Sequence, residues 1–594
     1  MRNENAGICL GVLAAACVAL TFGTTRVQAA GITDVWAVND GEKIKRDDLD
    51  NPNRRKNSVW DGRKVAIFGA RNEIVAFQFI LRTGKTGAKD VDVTLDKLVR
   101  RGGREELAWK PEIPDPTDTR GRQIERFTQH YLNIRTPSPP GWFYNRAAQP
   151  KDMAGWTPDA LVPFNATRGR GGAPFDVAPD RNQGVWFDVA IPKDLPAGTY
   201  EGNIVVTEAG KEVKKVPVSL RVFDFTLPDE THFHAMIFFG EDDVGNRHPA
   251  PADAIVAAYH RLAHRHRVEF TKAYGPGAGQ ADIDLLSGKA FTSERGYEGP
   301  GEGVGYTIVP ASFYGCGGNW QGDDAWRTAD AFMTWLAKVK PDAITFLYTT
   351  DEPPKERFAW IKQIADRHHA NPGPGGKLPM FVTKGPSEGL EGAIDVWCTV
   401  TNQYRPDRAK AEKAKGRRWW VYNGHRPYAG TQLTDAPAVD PRVTPWACAK
   451  YGVELWFYWL ANHWQHNHSA AERGHQNVWV DPHTFGRREG YNGDGVLVYP
   501  GRDLKHPDQD RGIDGPVASI RLKNVRRGIQ DVEYLWLAEK NGLKREARAA
   551  ADACVPAAFS DARRDVSWSI HGSDWDAVRL QLAQALERKL KGKK

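Results

Sequence analysis

In the first third of the chain, apolar residues recur mostly at every second position. Residues 216–222, Val-Pro-Val-Ser-Leu-Arg-Val, alternate apolar residues with polar ones or proline, which is the period of a strand with one buried face. The turn signal Glu-Ala-Gly-Lys at 208–211 joins this run to another at 198–206, so the two predict a β-hairpin. We predict a β-sandwich over residues 31–228, with a long loop rich in Pro, Gly and Arg at 136–183.

Beyond residue 228 the pattern changes, because short apolar runs now alternate with amphipathic stretches of helical period. Eight runs of strand length, with helices between most of them, predict a parallel sheet, and a closed (β/α)8 TIM-type barrel over residues 229–545 fits that count. A C-terminal helical segment with a basic tail follows at 546–594. The predicted fold is therefore multidomain, β plus α/β. The eight predicted strands lie near residues 232–240, 268–274, 305–314, 343–351, 379–384, 394–400, 417–423 and 453–460.

The N-terminus predicts a secretory signal peptide over residues 1–29. Arg2 precedes an uncharged apolar run at 8–23, and Val-Gln-Ala at 27–29 provides a cleavage region. That run is short for a membrane span, and no later segment is apolar enough to cross a bilayer. We therefore expect an exported protein, periplasmic or extracellular. Four scattered cysteines remain, which is no disulfide framework although one bridge is possible; they are Cys316, Cys398, Cys448 and Cys554.

Charge and motifs exclude several other classes of function. The formal net charge of +7 is spread with both signs over 594 residues, which does not indicate a nucleic-acid partner. The G-x-S-x-G match at 385–389 is not followed by the long helix of a nucleophile elbow. His463, His466 and His468 are spaced closely enough for a metal, but no carboxylate or cysteine completes the set. We therefore expect neither a metal nor a cofactor.

Two adjacent carboxylates, Asp351 and Glu352, stand where the fourth predicted barrel strand ends and Pro353-Pro354 begins. One interpretation is structural: Glu-Pro-Pro is a good helix start, and acidic residues there interact favourably with the helix dipole. The other is catalytic, because active sites of such barrels lie at the C-terminal ends of the strands. Adjacent strand residues point to opposite sides, so the strand must end or bulge for both to serve one pocket. The position at the end of a barrel strand favours the catalytic interpretation.

Over nearly all of the sequence after the signal peptide, the chain resembles glycoside hydrolase family 123 and its wider group of uncharacterised relatives. That resemblance implies a β-sandwich followed by a (β/α)8 barrel and, in the best-known activity, removal of β-linked N-acetylgalactosamine. It is carried by the order and spacing of short motifs: Gly69–Glu73 with Phe77-Gln78, Leu195–Tyr200, Phe225–Pro228, Asp351-Glu352, Gly493–Gly501, Ser519–Leu522 and Arg527–Leu535.

The resemblance also implies roles for the two acids. Glycosidic cleavage needs an acid at the leaving oxygen and a partner for the positively charged carbon. By resemblance, Glu352 would be the general acid and later the general base for water. Asp351 would hold the acetamido N–H while the sugar's own acetamido oxygen attacks, so the configuration would be retained.

Sugar contacts are predicted from residues at the ends of the later strands. A sugar site needs flat apolar surfaces and hydrogen-bonding groups, and the candidates are Tyr458, Trp459, Asn402 with Gln403, Tyr422 and Asn423. For the aromatic ones the alternative is barrel filling, and for the others loop capping. The partner expected is a glycan or glycoconjugate substrate. Two alternatives stay open, a glycosidase for another sugar and a non-catalytic glycan-binding protein.

Overall fold

The structure is a computed structural model that describes residues 31–249, 251–315, 319–465, 474–485 and 490–592. The predicted signal peptide lies outside these ranges. In the part described, no helix is both long enough and apolar enough to cross a membrane. Cys398, Cys448 and Cys554 are buried as free thiols, whereas Cys316 lies outside the described residues.

Residues 32–226 form two β-sheets, here called the β-rich unit. Its strands are β1 (Ile32–Asn39), β2 (Val65–Arg71), β3 (Glu73–Thr83), β4 (Ala88–Leu95), β5 (Lys97–Arg100), β6 (Glu106–Ala108), β7 (Ile124–Ile134), β8 (Gly155–Pro163), β9 (Phe175–Val177), β10 (Asn182–Ile191), β11 (Gly198–Glu208) and β12 (Lys211–Thr226). One sheet has the order β1-β3-β10-β7-β8; the other has β2-β12-β11-β4-β9, with β5 on β11 and β6 on β5. One hydrophobic core contains Phe77 and Phe187 of the first sheet and Leu220 of the second. The predicted N-terminal β-rich unit is confirmed.

The prediction of one long loop at 136–183 was wrong in part, because this stretch contains β8, β9 and the start of β10. Strand β8 carries Pro158 and Pro163, which a central strand would not accommodate because proline cannot donate to the ladder. It lies at the edge of its sheet and pairs only with β7 there. The prolines that suggested a loop are thus compatible with an edge strand.

Seven parallel strands form a third sheet after residue 233. They are β13 (His234–Phe238), β14 (Glu269–Thr271), β15 (Leu347–Tyr348), β16 (Met380–Val382), β17 (Val396–Val400), β18 (Arg418–Tyr422) and β19 (Leu455–Tyr458). The order is β14-β13-β19-β18-β17-β16-β15. Because the first strand, β13, pairs with the last, β19, the sheet is curled.

A full (β/α)8 barrel is not confirmed. At the third predicted position, residues 307–312 make isolated parallel bridges, Ile308 with Ile344 and Ser312 with Leu347. The Tyr274 N–H donates to Pro310 O at 2.9 Å on the other side, so this segment lies between β14 and β15. Its proline interrupts the ladder.

Ten α-helices occur in the described chain, and they do not follow every strand. They are α1 (Glu241–Arg247), α2 (Ala252–Arg265), α3 (Gln280–Ser287), α4 (Ala325–Val339), α5 (Phe358–His369), α6 (Pro406–Ala414), α7 (Asp440–Tyr451), α8 (Ile520–Lys540), α9 (Lys544–Cys554) and α10 (Gly572–Lys591). Residues 383–395, between β16 and β17, turn through Gly385, Gly389 and Gly392 without a helix. Short strand pairs are β20 (His483–Phe485) with β21 (Tyr491–Asn492) and β22 (Val498–Pro500) with β23 (Pro516–Ala518).

Helix α8 joins the curled sheet to the β-rich unit through buried ion pairs. Asp188 of β10 accepts from Lys523 at 2.6 Å and from Arg526 at 2.8 Å, and these two cations hold the pKa of Asp188 well below its usual value although burial opposes them. Arg521 pairs with Asp159 of β8 at 2.6 Å. Removing one partner of a buried pair costs roughly 3–5 kcal/mol. The β-rich unit is thus held in a defined position against the helix. The domain boundaries proposed at 228 and 545 stay a prediction.

Candidate active site

Asp351 is held at the carboxyl edge of the curled sheet by two hydroxyl donors. Its Oδ1 accepts from Tyr348 Oη at 2.5 Å and from Thr383 Oγ1 at 2.7 Å. Burial and the neighbouring negative charge raise the pKa of Tyr348 well above its usual value, so the phenol keeps its proton and donates. No hydrogen bond to Asp351 Oδ2 occurs within the described residues, so this oxygen is available to a ligand.

Glu352 follows in a left-handed backbone conformation with φ of +38°. That conformation is uncommon for a non-glycine residue and is kept only where the surroundings enforce it. Here the Glu352 N–H donates to Thr383 Oγ1 at 2.6 Å, and Glu352 Oε1 accepts from Tyr422 Oη. Burial and the Glu352 charge raise the pKa of Tyr422, which keeps this phenol a donor as well.

The structure places the acid pair outside the helix that follows. A short 3-10 helix begins at Lys355, and α5 begins at Phe358. Both carboxylates instead line one cavity of about 410 Å³. The chain leaves the strand after Tyr348, which satisfies the requirement that it end before the pair. The cavity walls include Trp142, Phe143, Phe238, Tyr314, Asp351, Glu352, Tyr422, Asn423, Phe457, Trp459, Leu460, Phe485 and Asp494.

Asp494 is a third carboxylate in this cavity, and it is only 1 % exposed. It accepts from Tyr458 Oη at 2.8 Å through Oδ1 and from Trp459 Nε1 at 3.0 Å through Oδ2. Burial raises the pKa of Asp494 to about 6, although both hydrogen bonds act to lower it. Asp494 thereby fixes the indole of Trp459, which forms part of the cavity wall.

Tyr458→Phe should shift the acidic limb of the pH profile to higher pH. Protonated Asp494 would present a hydroxyl to two groups that already donate to it, so we expect kcat/KM to fall as pH falls through about 6. Removing the Tyr458 donor takes away a hydrogen bond that favours the carboxylate, so the pKa of Asp494 should rise.

This prediction is tested by measuring kcat/KM of the variant and the wild type between pH 4 and 8. Tyr451→Phe is the matched control, because Tyr451 donates to Asp561 at 2.8 Å outside the cavity. An unmoved limb would remove Asp494 from the titration.

The predicted sugar-contact residues have different outcomes. Tyr422, Asn423 and Trp459 line the cavity, and Asn423 Oδ1 has no hydrogen-bond partner among the described atoms. Tyr458 is fully buried and reaches the site only through Asp494, because adjacent strand residues point to opposite sides.

Asn402 does not line the cavity, so its predicted role needs correction. Strand β17 ends at Val400, and residues 401–403 turn at once into a short helix. The backbone carbonyl of Asn402 accepts from the Arg405 guanidinium at 2.9 Å, a contact within the loop itself.

Other site residues were missed at the level of sequence. Asp494 lies in the Gly493–Gly501 motif, which contributed to the family resemblance but did not indicate a role for this aspartate. Trp142 and Phe143 come from the β-rich unit, in the aromatic run Trp-Phe-Tyr within the predicted loop. Tyr314, whose hydroxyl donates to Trp459 O at 3.2 Å, had no distinguishing pattern.

The histidine-rich stretch gives no metal centre in the part of the chain that the structure describes, where no cluster of three or more metal-binding side chains occurs. His466 and His468 lie outside the described residues. His463 is only 5 % exposed, and its backbone N–H donates to Gly495 O at 2.7 Å.

Paired carboxylates at the carboxyl edge of a curled parallel sheet, facing a cavity with aromatic walls, are an arrangement that glycoside hydrolases use. Residues 330–538 match the family model described as glycoside hydrolase 123, catalytic domain. This match confirms the resemblance over those residues, which are similar to the catalytic domain of glycoside hydrolase family 123.

Comparison with solved structures supports the fold. A family 123 glycoside hydrolase from Clostridium perfringens, described for glycolipid glycan hydrolysis, has a TM-score of 0.60 at 12 % identity, covering 94 % of this chain and 97 % of that one. A family 39 glycoside hydrolase from the gut symbiont Bacteroides cellulosilyticus WH2 has a TM-score of 0.29 at 10 % identity, covering 74 % and 82 %, and no inference rests on it. Among curated proteins, none matches this sequence.

Proposed function

We propose that this glycoside hydrolase is an exported, exo-acting and retaining enzyme that removes terminal β-linked N-acetylgalactosamine by substrate-assisted catalysis. The observation that carries the proposal is the arrangement of Asp351. Two donors occupy Oδ1 and leave Oδ2 without a partner among the described residues. An acceptor held in this way suits the N–H of an acetamido group, which must be oriented before its carbonyl oxygen attacks.

The first chemical step breaks the bond between C1 and the leaving oxygen. Glu352 gives its proton to that oxygen while the acetamido oxygen bonds to C1, which produces an oxazolinium ion. Asp351 stabilises the positive charge that develops on the acetamido nitrogen. Tyr422 orients Glu352 through Oε1 and leaves Oε2 for the leaving oxygen.

The second step restores the proton of Glu352. Glu352, now a carboxylate, takes a proton from a water molecule, whose oxygen bonds to C1 as the acetamido oxygen leaves. Two inversions at C1 give a product with the original configuration. Asp494 lines the cavity and is almost completely buried, and this buried side is the pocket that we assign to the terminal sugar in an exo mode of action. Export rests on the predicted leader at residues 1–29.

A panel of nitrophenyl glycosides tests this proposal. We expect release of nitrophenol from the β-N-acetylgalactosaminide, weaker release from its gluco epimer and none from the plain β-galactoside, because only the first two carry the internal nucleophile. An oxazoline analogue should inhibit. Cleavage of the plain galactoside without inhibition would favour a glycosidase for another sugar. No cleavage of any substrate by the folded protein would favour the glycan-binding alternative.

A further inference from the structure

Three aromatic rings that line the cavity lie next to one another: Trp459, Phe485 and Trp142. Trp459, fixed by Asp494, lies 5.2 Å from Phe485 between ring centroids. Phe485 in turn meets Trp142 at 5.8 Å with an interplanar angle of 69°. Exposure increases along this line, from 1 % at Asp494 to 63 % at Trp142. Trp142 therefore marks the outer end of the site.

Trp142 is the most exposed of the large hydrophobic side chains in the described chain. Isolated exposed hydrophobic residues are ordinary on protein surfaces, so exposure alone indicates nothing. Its neighbour Phe143 is only 3 % exposed and packs in a small core with Tyr491 at 4.8 Å. The indole is thus presented to solvent by a segment that is itself packed.

The backbone around Trp142 is joined to the segment that follows β18. Trp142 O lies 3.0 Å from His425 Nδ1, and Phe143 O accepts from the Arg426 N–H at 2.9 Å. The Asn145 N–H donates to Arg426 O at 3.1 Å. Strand β18 and the next residue supply Tyr422 and Asn423 to the same cavity. These hydrogen bonds therefore fix the position of Trp142 relative to Tyr422, whose hydroxyl donates to Glu352.

We propose that Trp142 is the platform of a leaving-group subsite and binds the apolar face of the sugar ring that carries the leaving oxygen. The inference rests on the proposed function, because Glu352 must face that oxygen. In an exo-acting site the terminal sugar occupies the closed end, so the next ring lies between Glu352 and the mouth. The only large aromatic side chain that lines this cavity and is more than half exposed, among the residues described, is Trp142.

This subsite gives the β-rich unit a role in specificity. A platform that touches the leaving sugar before and during bond cleavage contributes uniform binding, which changes KM more than kcat. Substrates whose leaving group has no ring should not depend on it.

The test compares Trp142→Ala with the wild type on two substrates that share β-N-acetylgalactosamine at C1. One is the glycosyl fluoride, whose leaving group has no surface to stack; the other is a disaccharide with galactose as the leaving sugar. We expect kcat/KM on the disaccharide to fall about tenfold or more, mainly through KM, since tryptophan contacts that become buried on binding are among the most costly to truncate. The rate on the fluoride should change less than about twofold.

Two further variants separate a subsite from a structural role. Trp326→Ala is the matched control, because Trp326 is 40 % exposed on α4 and donates to Arg367 O at 2.7 Å, outside the cavity. Trp142→Phe keeps an aromatic face and should restore most of the disaccharide activity. Equal losses on both substrates, or no loss on either, would overturn the subsite. If the wild type did not cleave even the fluoride, both the proposed function and the subsite would be overturned. The fluoride distinguishes this outcome from failure of the subsite alone, because its leaving group does not reach Trp142.

Discussion

Glu352→Gln is expected to lower kcat/KM on an oligosaccharide by roughly two to four decades, the usual contribution of a general acid. Glutamine has nearly the same shape, and its amide oxygen can still accept from Tyr422, so the site should keep its geometry. What is lost is the proton that the leaving alkoxide requires. A nitrophenolate leaves without much assistance, so its release in the first step should fall far less.

The control for this variant is Glu356→Gln, an exposed glutamate in the short helix that follows. It removes the same charge close to the site without touching the cavity. The comparison uses kcat/KM on the disaccharide and on the nitrophenyl substrate, because kcat/KM reports the steps up to the first bond cleavage and not the later attack of water. If both substrates slowed by the same factor, Glu352 would be structural, and an unchanged rate on the disaccharide would remove it from the mechanism.

The positions of the curled sheet's strands could be predicted from sequence, because each is a short apolar run with polar or glycine-rich boundaries. The irregular third position could not, since residues 305–314 have the composition of a strand and only the interrupted pairing around Pro310 distinguishes them. At β8 the prolines led to the prediction of a loop where a strand occurs. A strand accepts proline when it lies at the edge of a sheet, and this position cannot be read from the sequence.

The acid pair could be recognised because the two residues are adjacent in sequence and their position at a strand end is a local property. Trp142 and Asp494 depend on long-range placement. The first reaches the cavity from another unit, and the second becomes part of the wall through Trp459. Neither of these long-range contacts produces a periodic pattern in the sequence.

Helix α8 illustrates why the joining of the two halves was not predicted. Its many charged residues resemble a solvated face, yet Arg521 and Lys523 are buried. Their partners, Asp159 and Asp188, belong to strands of the β-rich unit. Only the fold brings these opposite charges together, and buried charges need such pairing. The same ion pairs fix the unit that carries Trp142.

Asp351→Asn is expected to lower kcat on the acetamido sugar by about two to three decades, a loss comparable to removing one preorganised electrostatic contact to a transition state. If the asparagine oxygen continues to accept from Tyr348 and Thr383, its NH₂ group replaces Oδ2. That group would face the acetamido N–H, donor against donor, and would carry no negative charge to stabilise the oxazolinium ion.

Asp366→Asn is a matched control, because Asp366 pairs with Lys362 on the exposed face of α5. The decisive measurement is kcat for nitrophenyl substrates whose N-acetyl group carries zero to three fluorine atoms. Fluorine makes the acyl oxygen a weaker nucleophile, so the wild-type rate should fall steeply along the series if that oxygen attacks C1. A flat series would place the nucleophile on the protein, and Asp351 would then be the residue to examine for a covalent intermediate.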